Sequence, residues 1–133
     1  MKILIVQDNL ALGQVWANHI HRMGIETTLV SATDAAVDAL LASDFDAIVV
    51  NLVLKSGSAF SISDVAQLHQ PKANLIFVTD TTFFSDGSIF AHAANVRAML
   101  GTATPPEDLA AIVHHYAQDA SRARAAAQNP TAG

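Results

Sequence analysis

The chain has 133 residues, of which 51% are hydrophobic, so it is long enough for one compact domain and too apolar for intrinsic disorder. Its formal net charge of −5 disfavours a nucleic-acid-binding surface, no apolar run approaches the ~20 residues that cross a bilayer, and the absence of cysteine excludes disulfides and thiolate metal sites. Because the first apolar run stops at Gln7 and Asp8, it is too short for a secretory signal, and we expect a cytoplasmic protein.

Strand-like and helix-like segments alternate along the chain. Short apolar and β-branched runs predict strands, whereas apolar residues three or four positions apart predict helices. In chain order the predicted elements are a strand at 2–6, a helix at 10–23, a strand at 25–30, a helix at 34–42, a strand within 45–57, a helix at 58–68, a strand at 73–79, a loop at 80–86, a short helix at 87–94, a strand at 96–100 and a helix at 106–116.

Capping residues mark several of the predicted helix ends. Asp8 and Asn9 are suitable N-terminal caps for the first helix, Gly24 is expected to end it, and Thr33 is expected to cap the second. Pro106 suits the first turn of the last helix. The apolar spacing predicts core-facing residues in the first two helices: Leu12, Val15, Trp16, Ile20, Met23, Val37, Leu40 and Leu41.

The stretch 45–57, FDAIVVNLVLKSG, is the centre of the predicted fold. Its continuous apolar run is typical of a strand buried on both faces of a parallel sheet, and the run ends at the polar Asn51. Strands that alternate with helices through short turns predict an α/β fold, a doubly wound five-stranded parallel sheet in a single domain. Asn51 is therefore expected at the carboxyl end of a central strand, where such sheets bind their ligands.

The order of elements and the polar residues at the strand ends resemble the receiver domain of two-component response regulators, over residues 1–117. The resemblance implies a flavodoxin-like (βα)5 sheet with strand order 2-1-3-4-5. In receiver domains an acidic pair ends the first strand, an aspartate that ends the third strand accepts phosphate, and Mg²⁺ bridges them. A serine or threonine ends the fourth strand, and a lysine after the fifth contacts the phosphoryl group.

This sequence keeps only part of the receiver pattern. The acidic pair corresponds to Gln7 and Asp8, and the acceptor corresponds to Asn51. The hydroxyl is kept as Thr79, whereas the lysine position falls at Thr102. Receiver domains usually have a small residue after the hydroxyl and an aromatic residue on the fifth strand. In this sequence these positions are occupied by Asp80 and Met99. The resemblance therefore implies a degenerate phosphoacceptor pocket of Gln7, Asp8, Asn51, Thr79, Asp80 and Thr102.

The chemistry of these differences predicts that the domain does not take up phosphate. A carboxylate is the nucleophile toward a phosphohistidine, and the neutral amide of Asn51 cannot form an acyl phosphate. Mg²⁺ prefers anionic oxygen ligands, so the single remaining carboxylate of the usual set, Asp8, predicts at most weak Mg²⁺ binding and no other cofactor. Thr102 lacks the cation that would neutralise phosphoryl oxygens. Asp80 has several possible roles: it rebuilds part of a metal site beside Asp8, it accepts hydrogen bonds from Asn51 or Thr102, or it caps the following loop or points to solvent.

Other catalytic sites have little support in the sequence. The six histidines include no pair at i,i+4 spacing for zinc, and the residues around Gly57 lack the arrangement of a nucleophile elbow. No glycine-rich phosphate-binding loop is present in the sequence. We therefore expect a protein that is not an enzyme.

A protein partner is the expected alternative to a phosphate signal. In receivers the surface near the fourth helix and fifth strand contacts partners, and here that region contains Phe83, Phe84, Phe90 and Met99. Adjacent phenylalanines in a loop predict an exposed anchor, although Phe83 and Phe84 are equally compatible with a lid over the core. The resemblance implies a signalling partner, such as a histidine kinase, a phosphotransfer protein or another regulator, with a homodimer as a further option and no nucleic acid or membrane partner.

Two questions stay open at the level of sequence. Residues 1–118 are expected to form the receiver-like domain, and the alanine-rich residues 119–133 suit either a helical extension or tail, or a linker to another domain. The leading functional hypothesis is an interaction module that works without phosphorylation. The alternatives are a pocket that binds a small ligand, and phosphate transfer to another residue such as Asp8 or Asp80.

Overall fold

The computed structural model describes residues 1–55, 57–79 and 96–128. Its strands are β1 (Lys2–Val6), β2 (Glu26–Val30), β3 (Ala47–Asn51), β4 (Val53–Leu54), β5 (Gly57–Ser58), β6 (Asn74–Thr79) and β7 (Val96–Gly101). Its helices are α1 (Leu10–His21), α2 (Thr33–Ala42), α3 (Ala59–His69) and the C-terminal helix (Pro106–Gln128). The predicted loop at 80–86, the predicted helix at 87–94 and the end of the tail at 129–133 lie outside the described residues.

Five strands form one parallel sheet in the order β2-β1-β3-β6-β7, and β4 and β5 form a separate two-stranded hairpin. This order is the predicted 2-1-3-4-5, so the predicted doubly wound α/β fold is confirmed. Alternate residues of β3 face opposite cores: Ile48 and Val50 pack with α2 and α3, whereas Ala47 and Val49 pack with α1 and the C-terminal helix. Burial on both faces explains why this strand reads as an unbroken apolar run.

The core-facing stripe of α1 differs from the prediction. Val15 and Met23 are exposed, and small residues at Gly13 and Ala17 share the buried stripe with Trp16 and Ile20. Counting large apolar residues misses this stripe because close packing against the sheet favours small side chains. The helix ends at His21, and Gly24 follows in the left-handed region at φ 80°, where glycine is the favoured residue.

The start and inner face of α2 also differ from the prediction. Thr33 does not cap the helix: the N-cap is Ala32, which makes no side-chain capping bond, and Thr33 is the buried first residue of the helix. Ala36 and Leu40 continue the inner face at helical spacing, whereas Leu41 is 58% exposed. The leucine pair at 40–41 spans two faces of one turn, so only one member reaches the core.

Gln70, at the end of α3, binds three backbone groups of residues 40–45 at the amino-terminal edge of the sheet. Its side chain is buried; Oε1 accepts a hydrogen bond from the Phe45 N–H at 2.7 Å, and Nε2 donates to the carbonyls of Leu40 and Ser43. These bonds hold the turn between α2 and β3 against the end of α3. The sequence gives no signal for this role, because the three partners are all backbone groups.

Replacement of Gln70 by Met is expected to lower the free energy of unfolding by about 2 kcal/mol, because buried backbone donors and acceptors lose their partner while the side-chain volume is kept. Urea unfolding followed by circular dichroism measures the change. Gln67→Met, at an exposed position of the same helix, is the matched control and is expected to change stability by less than about 0.5 kcal/mol. Equal effects of the two substitutions would contradict a joining role for Gln70.

The C-terminal helix continues beyond the predicted range 106–116 to Gln128, into the segment for which a helical extension was one of the predicted options. Arg124 holds the added segment against the sheet: Nη1 lies 2.8 Å from Oδ1 of Asp46, and Nη2 donates to the Phe45 carbonyl at 2.8 Å. The other carboxylate oxygen of Asp46 accepts a bond from the Lys2 N–H at 2.7 Å. This contact ties residues that are 78 positions apart in sequence.

Candidate functional site

The carboxyl ends of β1 and β3 and the turn after β7 surround a cavity of about 240 Å³. Four of the predicted pocket residues line it. Three of them, Gln7, Asn51 and Thr102, differ from the receiver pattern, and the fourth is Asp8. Parallel strands bring their carboxyl ends to one edge of the sheet, which explains how residues far apart in sequence meet here. The remaining lining residues, which the sequence reasoning did not assign to the pocket, are Asn9, Leu12 and Val53.

Asn51 acts as a hydrogen-bond donor toward three acceptors. Its Nδ2 lies 3.0 Å from the Val53 carbonyl oxygen, 3.1 Å from Oε1 of Gln7 and 3.5 Å from Oδ1 of Asp8. A carbonyl and a carboxylate only accept, so the atom that faces Val53 and Asp8 is the amide nitrogen. Two hydrogens serve these three oxygens, and the Asp8 contact is the longest. An aspartate at this position would place oxygen against oxygen.

Gln7 is fixed in the wall of the cavity and is 1% exposed. Its Oε1 accepts bonds from the Asn9 N–H at 3.0 Å and from Asn51 Nδ2. A close approach of α1 to the end of β1 accompanies this arrangement: a Cβ atom at Gly13 would lie 2.8 Å from Leu29 Cδ1 and 3.2 Å from Gln7 Cβ. Glycine at position 13 is therefore part of how the fold places Gln7.

Asp8 has a structural role in the loop that follows β4. Its Oδ2 accepts a hydrogen bond from the Lys55 N–H at 2.9 Å, and its Oδ1 faces the Asn51 amide. The described part of the pocket does not fit Mg²⁺. One carboxylate is available, both of its oxygens already face donors, and the amide oxygen of Gln7 accepts two hydrogen bonds. Among the described residues, no three histidine or acidic side chains are grouped to hold a metal ion.

Thr102 occupies the cavity wall where the receiver resemblance implies a lysine. Its N–H donates to the carbonyl of Thr79 at 3.1 Å, which links the turn after β7 to the end of β6. Within the described parts of the chain, Thr102 Oγ1 and Gln7 Nε2 are buried and have no hydrogen-bond partner. Two unsatisfied polar atoms thus belong to residues that line the same cavity.

The predicted partner surface is only partly described. Met99 lies on β7, is half-buried and packs against the core cluster on the α2 and α3 side of the sheet. Phe83, Phe84 and Phe90 lie outside the described residues, as does Asp80 of the predicted pocket. The described exposed apolar residues near the cavity are instead Leu10, which directly follows the lining residue Asn9, and Val53, which is 64% exposed.

Replacement of Asn51 by Asp is expected to lower the free energy of unfolding by about 1–2 kcal/mol in the absence of Mg²⁺, because the donor that faces three acceptors becomes a second anion beside Asp8. Added Mg²⁺ is expected to recover part of the loss, since two carboxylates then share a cation. Urea titration with and without Mg²⁺ measures both effects.

Asn18→Asp is the matched control for that substitution. Asn18 is exposed and its Oδ1 accepts a bond from Gln14 Nε2, which an aspartate also accepts. A loss of about 0.5 kcal/mol or less is expected there, with no response to Mg²⁺. If Asn51→Asp were as stable as the original protein without the metal, the donor geometry of Asn51 would carry no stabilisation.

Among known proteins, the chain is similar only to solved structures. No protein-family model and no curated protein matches the sequence. Among solved structures, an adenylate cyclase from Rhodopirellula baltica is similar with a TM-score of 0.85 and 15% identity over 98% of this chain and 96% of that one. A CheY-like response regulator receiver domain protein from Methanospirillum hungatei has a TM-score of 0.81 and 18% identity, over 91% and 96%.

A third similar structure is the receiver domain of a sensor histidine kinase from Pseudomonas aeruginosa, with a TM-score of 0.75 and 20% identity over 88% of this chain and 97% of that one. That receiver carries a magnesium ion in its active-site cleft. The chain therefore has the fold of response-regulator receiver domains, as the sequence resemblance implied. None of the described helices is both long enough and apolar enough to span a membrane.

Proposed function

We propose that this chain is a cytoplasmic receiver-like module of a two-component pathway that signals by binding another protein without being phosphorylated, and that it is not an enzyme. The observation that carries the proposal is the amide of Asn51, whose nitrogen faces three oxygen acceptors at the position of the receiver phosphoacceptor. A nucleophile at this position would need a carboxylate oxygen and a nearby metal. The hydrogen bonds of Asn51 instead join β1, β3 and the start of the following hairpin into one fixed arrangement.

Without phosphate chemistry, the surface around the pocket remains available to a partner. Leu10 and Val53 are both more than half exposed; Val53 lines the cavity and Leu10 directly follows the lining residue Asn9, which suits contact with an apolar patch of a partner. The partner proposed is a histidine kinase, a phosphotransfer protein or another regulator, and the region of Phe83, Phe84, Phe90 and Met99 is proposed as a second contact. The net charge of −5 disfavours a nucleic acid partner.

Titration calorimetry with the histidine kinases and phosphotransfer domains of the same cell tests this proposal. At least one is expected to bind with the same affinity in the presence and absence of its phosphoryl donor. Val53→Asp is expected to weaken that binding at least tenfold, or about 1.4 kcal/mol. Leu68→Asp, at an apolar residue of α3 that is 77% exposed, is the matched control and is expected to leave binding unchanged. Binding that requires the donor would refute the proposal.

A second candidate function, favoured by a separate observation, is binding of a small neutral molecule in the pocket. Gln7 Nε2 and Thr102 Oγ1 belong to residues that line the 240 Å³ cavity and have no partner in the described chain, so a ligand whose acceptor group reaches them would satisfy them. A metabolite thermal-shift screen tests it, because a ligand of the native state raises the melting temperature. Thr102→Val keeps the side-chain shape and is expected to abolish the shift. A screen without a Thr102-dependent shift would eliminate this candidate.

A further inference from the structure

A larger cleft lies at the opposite edge of the sheet from Asn51. It has a volume of about 460 Å³ and lies between the amino-terminal ends of β6 and β7 and the C-terminal helix. Asn74 is the first residue of β6, whereas Asn51 is the last residue of β3. The cleft and the degenerate pocket share no lining residue. The cleft is lined by Pro71, Lys72, Asn74, Arg97, Tyr116, Asp119, Ala120 and Ala123.

The guanidinium of Arg97 is held in place at this cleft by buried Asn74. Asn74 Oδ1 accepts a hydrogen bond from Arg97 Nε at 3.1 Å, and Asn74 Nδ2 donates to the Tyr116 carbonyl at 2.8 Å. Both ends of the Asn74 amide are therefore committed, and they fix one edge of the guanidinium. The terminal nitrogens of Arg97 have no hydrogen-bond partner among residues 1–55, 57–79 and 96–128. A guanidinium in this state presents two parallel donors, the geometry that binds a carboxylate or a phosphate.

The charges around the cleft favour an anion. Neither Lys72 nor Arg97 forms an ion pair within the described residues, whereas Arg124 nearby is paired with Asp46. Asp119 is the acidic residue of the lining, and its carboxylate lies 3.6 Å from Nε2 of His115. Two unpaired cations beside one carboxylate leave the lining with a net positive charge, although the chain as a whole carries −5.

We propose that this cleft binds a small organic anion, a carboxylate or a phosphate ester with an apolar body. Arg97 and Lys72 bind the anionic group, and the apolar body packs against Tyr116, Pro71 and the two alanines. Since Ala120 and Ala123 belong to the helical segment beyond Tyr116, the ligand joins that segment to the sheet. The proposed function concerns the other edge of the sheet, so this site does not depend on it.

Nuclear magnetic resonance titration of the full ¹⁵N-labelled chain tests the site. The probes are benzoate, phenyl phosphate and inorganic phosphate, with benzyl alcohol as the neutral analogue. Benzoate or phenyl phosphate is expected to give saturable shifts of the backbone amides of Asn74, Arg97 and Ala120, and benzyl alcohol is expected to give none. Whichever of benzoate and phenyl phosphate binds with the higher affinity shows whether the cleft prefers a carboxylate or a phosphate ester. A response to inorganic phosphate alone, or no saturable response at all, would overturn the proposal.

Two substitutions and two controls distinguish specific anion binding in the cleft from nonspecific electrostatic attraction to the protein. Arg97→Gln is expected to weaken anion binding at least tenfold, or about 1.4 kcal/mol, whereas Arg22→Gln removes the same charge beyond the end of α1 and is expected to leave it unchanged. Asp119→Asn is expected to strengthen binding by about two- to fivefold, and it decides the matter if Arg97→Gln fails to fold. Asn18→Asp, at an exposed position of α1, is expected to bind like the original chain. Equal losses in the two arginine variants, or an unchanged affinity in Asp119→Asn, would overturn the proposal.

Discussion

A variant that carries Gln7→Asp, Asn51→Asp and Thr102→Lys is expected to take up one phosphoryl group from acetyl phosphate in the presence of Mg²⁺, whereas the original chain takes up none. The three residues line one cavity, so the substitutions place a nucleophile, a second metal-binding carboxylate and a cation around the same space. Phosphoryl transfer depends on positioning and on neutralising charge, and each of these groups supplies one of those effects. The ends of β1 and β3 and the turn after β7 already meet at this cavity.

Intact-protein mass spectrometry measures the uptake, and one single and one double variant serve as controls. Asn51→Asp alone restores the nucleophile without the cation, so its uptake is expected to be about 100-fold slower than that of the triple variant. The pair Gln7→Asp and Thr102→Lys, without a carboxylate at residue 51, is expected to remain unmodified. Phosphate on the original chain, at Asp8 or Asp80, would support the alternative-acceptor hypothesis and contradict the proposed function.

Replacement of Arg124 by Ala is expected to lower the free energy of unfolding by about 3 kcal/mol, because it leaves the Asp46 carboxylate buried without its cation. The side chain of Asp46 is 5% exposed and that of Arg124 is 29% exposed, so the pair is largely removed from water. The Lys2 N–H remains as a donor to Asp46 and limits the loss. A change of this size is a large part of the 5–15 kcal/mol that stabilises a typical domain.

Chemical denaturation compares this variant with Arg122→Ala, an exposed arginine on the same helix, for which less than about 0.5 kcal/mol is expected. Arg124→Lys keeps the charge and loses the two-pronged contact with Asp46 and the Phe45 carbonyl, so an intermediate loss is expected. Since the pair joins residues 119–128 to the residue that precedes β3, we propose that this segment is a helical extension of the domain. Equal stability of the Arg124 and Arg122 variants would instead favour the linker interpretation.

Apolar runs predicted the sheet, and weaker local signals failed at the helix faces. The continuous runs of β3 and β6 identify strands buried on both sides, and the alternation with helices restricts the topology. The buried stripe of α1 contains Gly13 and Ala17, which carry little hydrophobic signal, so the apolar spacing predicts Val15 in the core although it is exposed. The alanine-rich composition of the tail is compatible with a helical extension, but its anchoring by Arg124 to Asp46 is a contact across 78 positions that no local pattern encodes.

The candidate pocket was predictable as a set of positions and unpredictable as a hydrogen-bond network. Its polar residues follow strands, so their meeting at one edge follows from the topology. The orientation of the Asn51 amide depends on the Val53 carbonyl, and the role of Asp8 depends on the Lys55 N–H. Backbone partners of this kind leave no trace in the sequence. The cleft at Arg97 was missed for the same reason, since the Tyr116 carbonyl orients Asn74.

A crystal of the original chain soaked with Mg²⁺ and beryllofluoride measures most directly whether residue 51 behaves as an amide donor or as a phosphoacceptor. Density that shows Asn51 Nδ2 within hydrogen-bond distance of Gln7 Oε1 and the Val53 carbonyl, with neither Mg²⁺ nor beryllofluoride on them, is the predicted result. Beryllofluoride attached to the residue 51 side chain, with Mg²⁺ held by Asp8 beside it, would contradict the account.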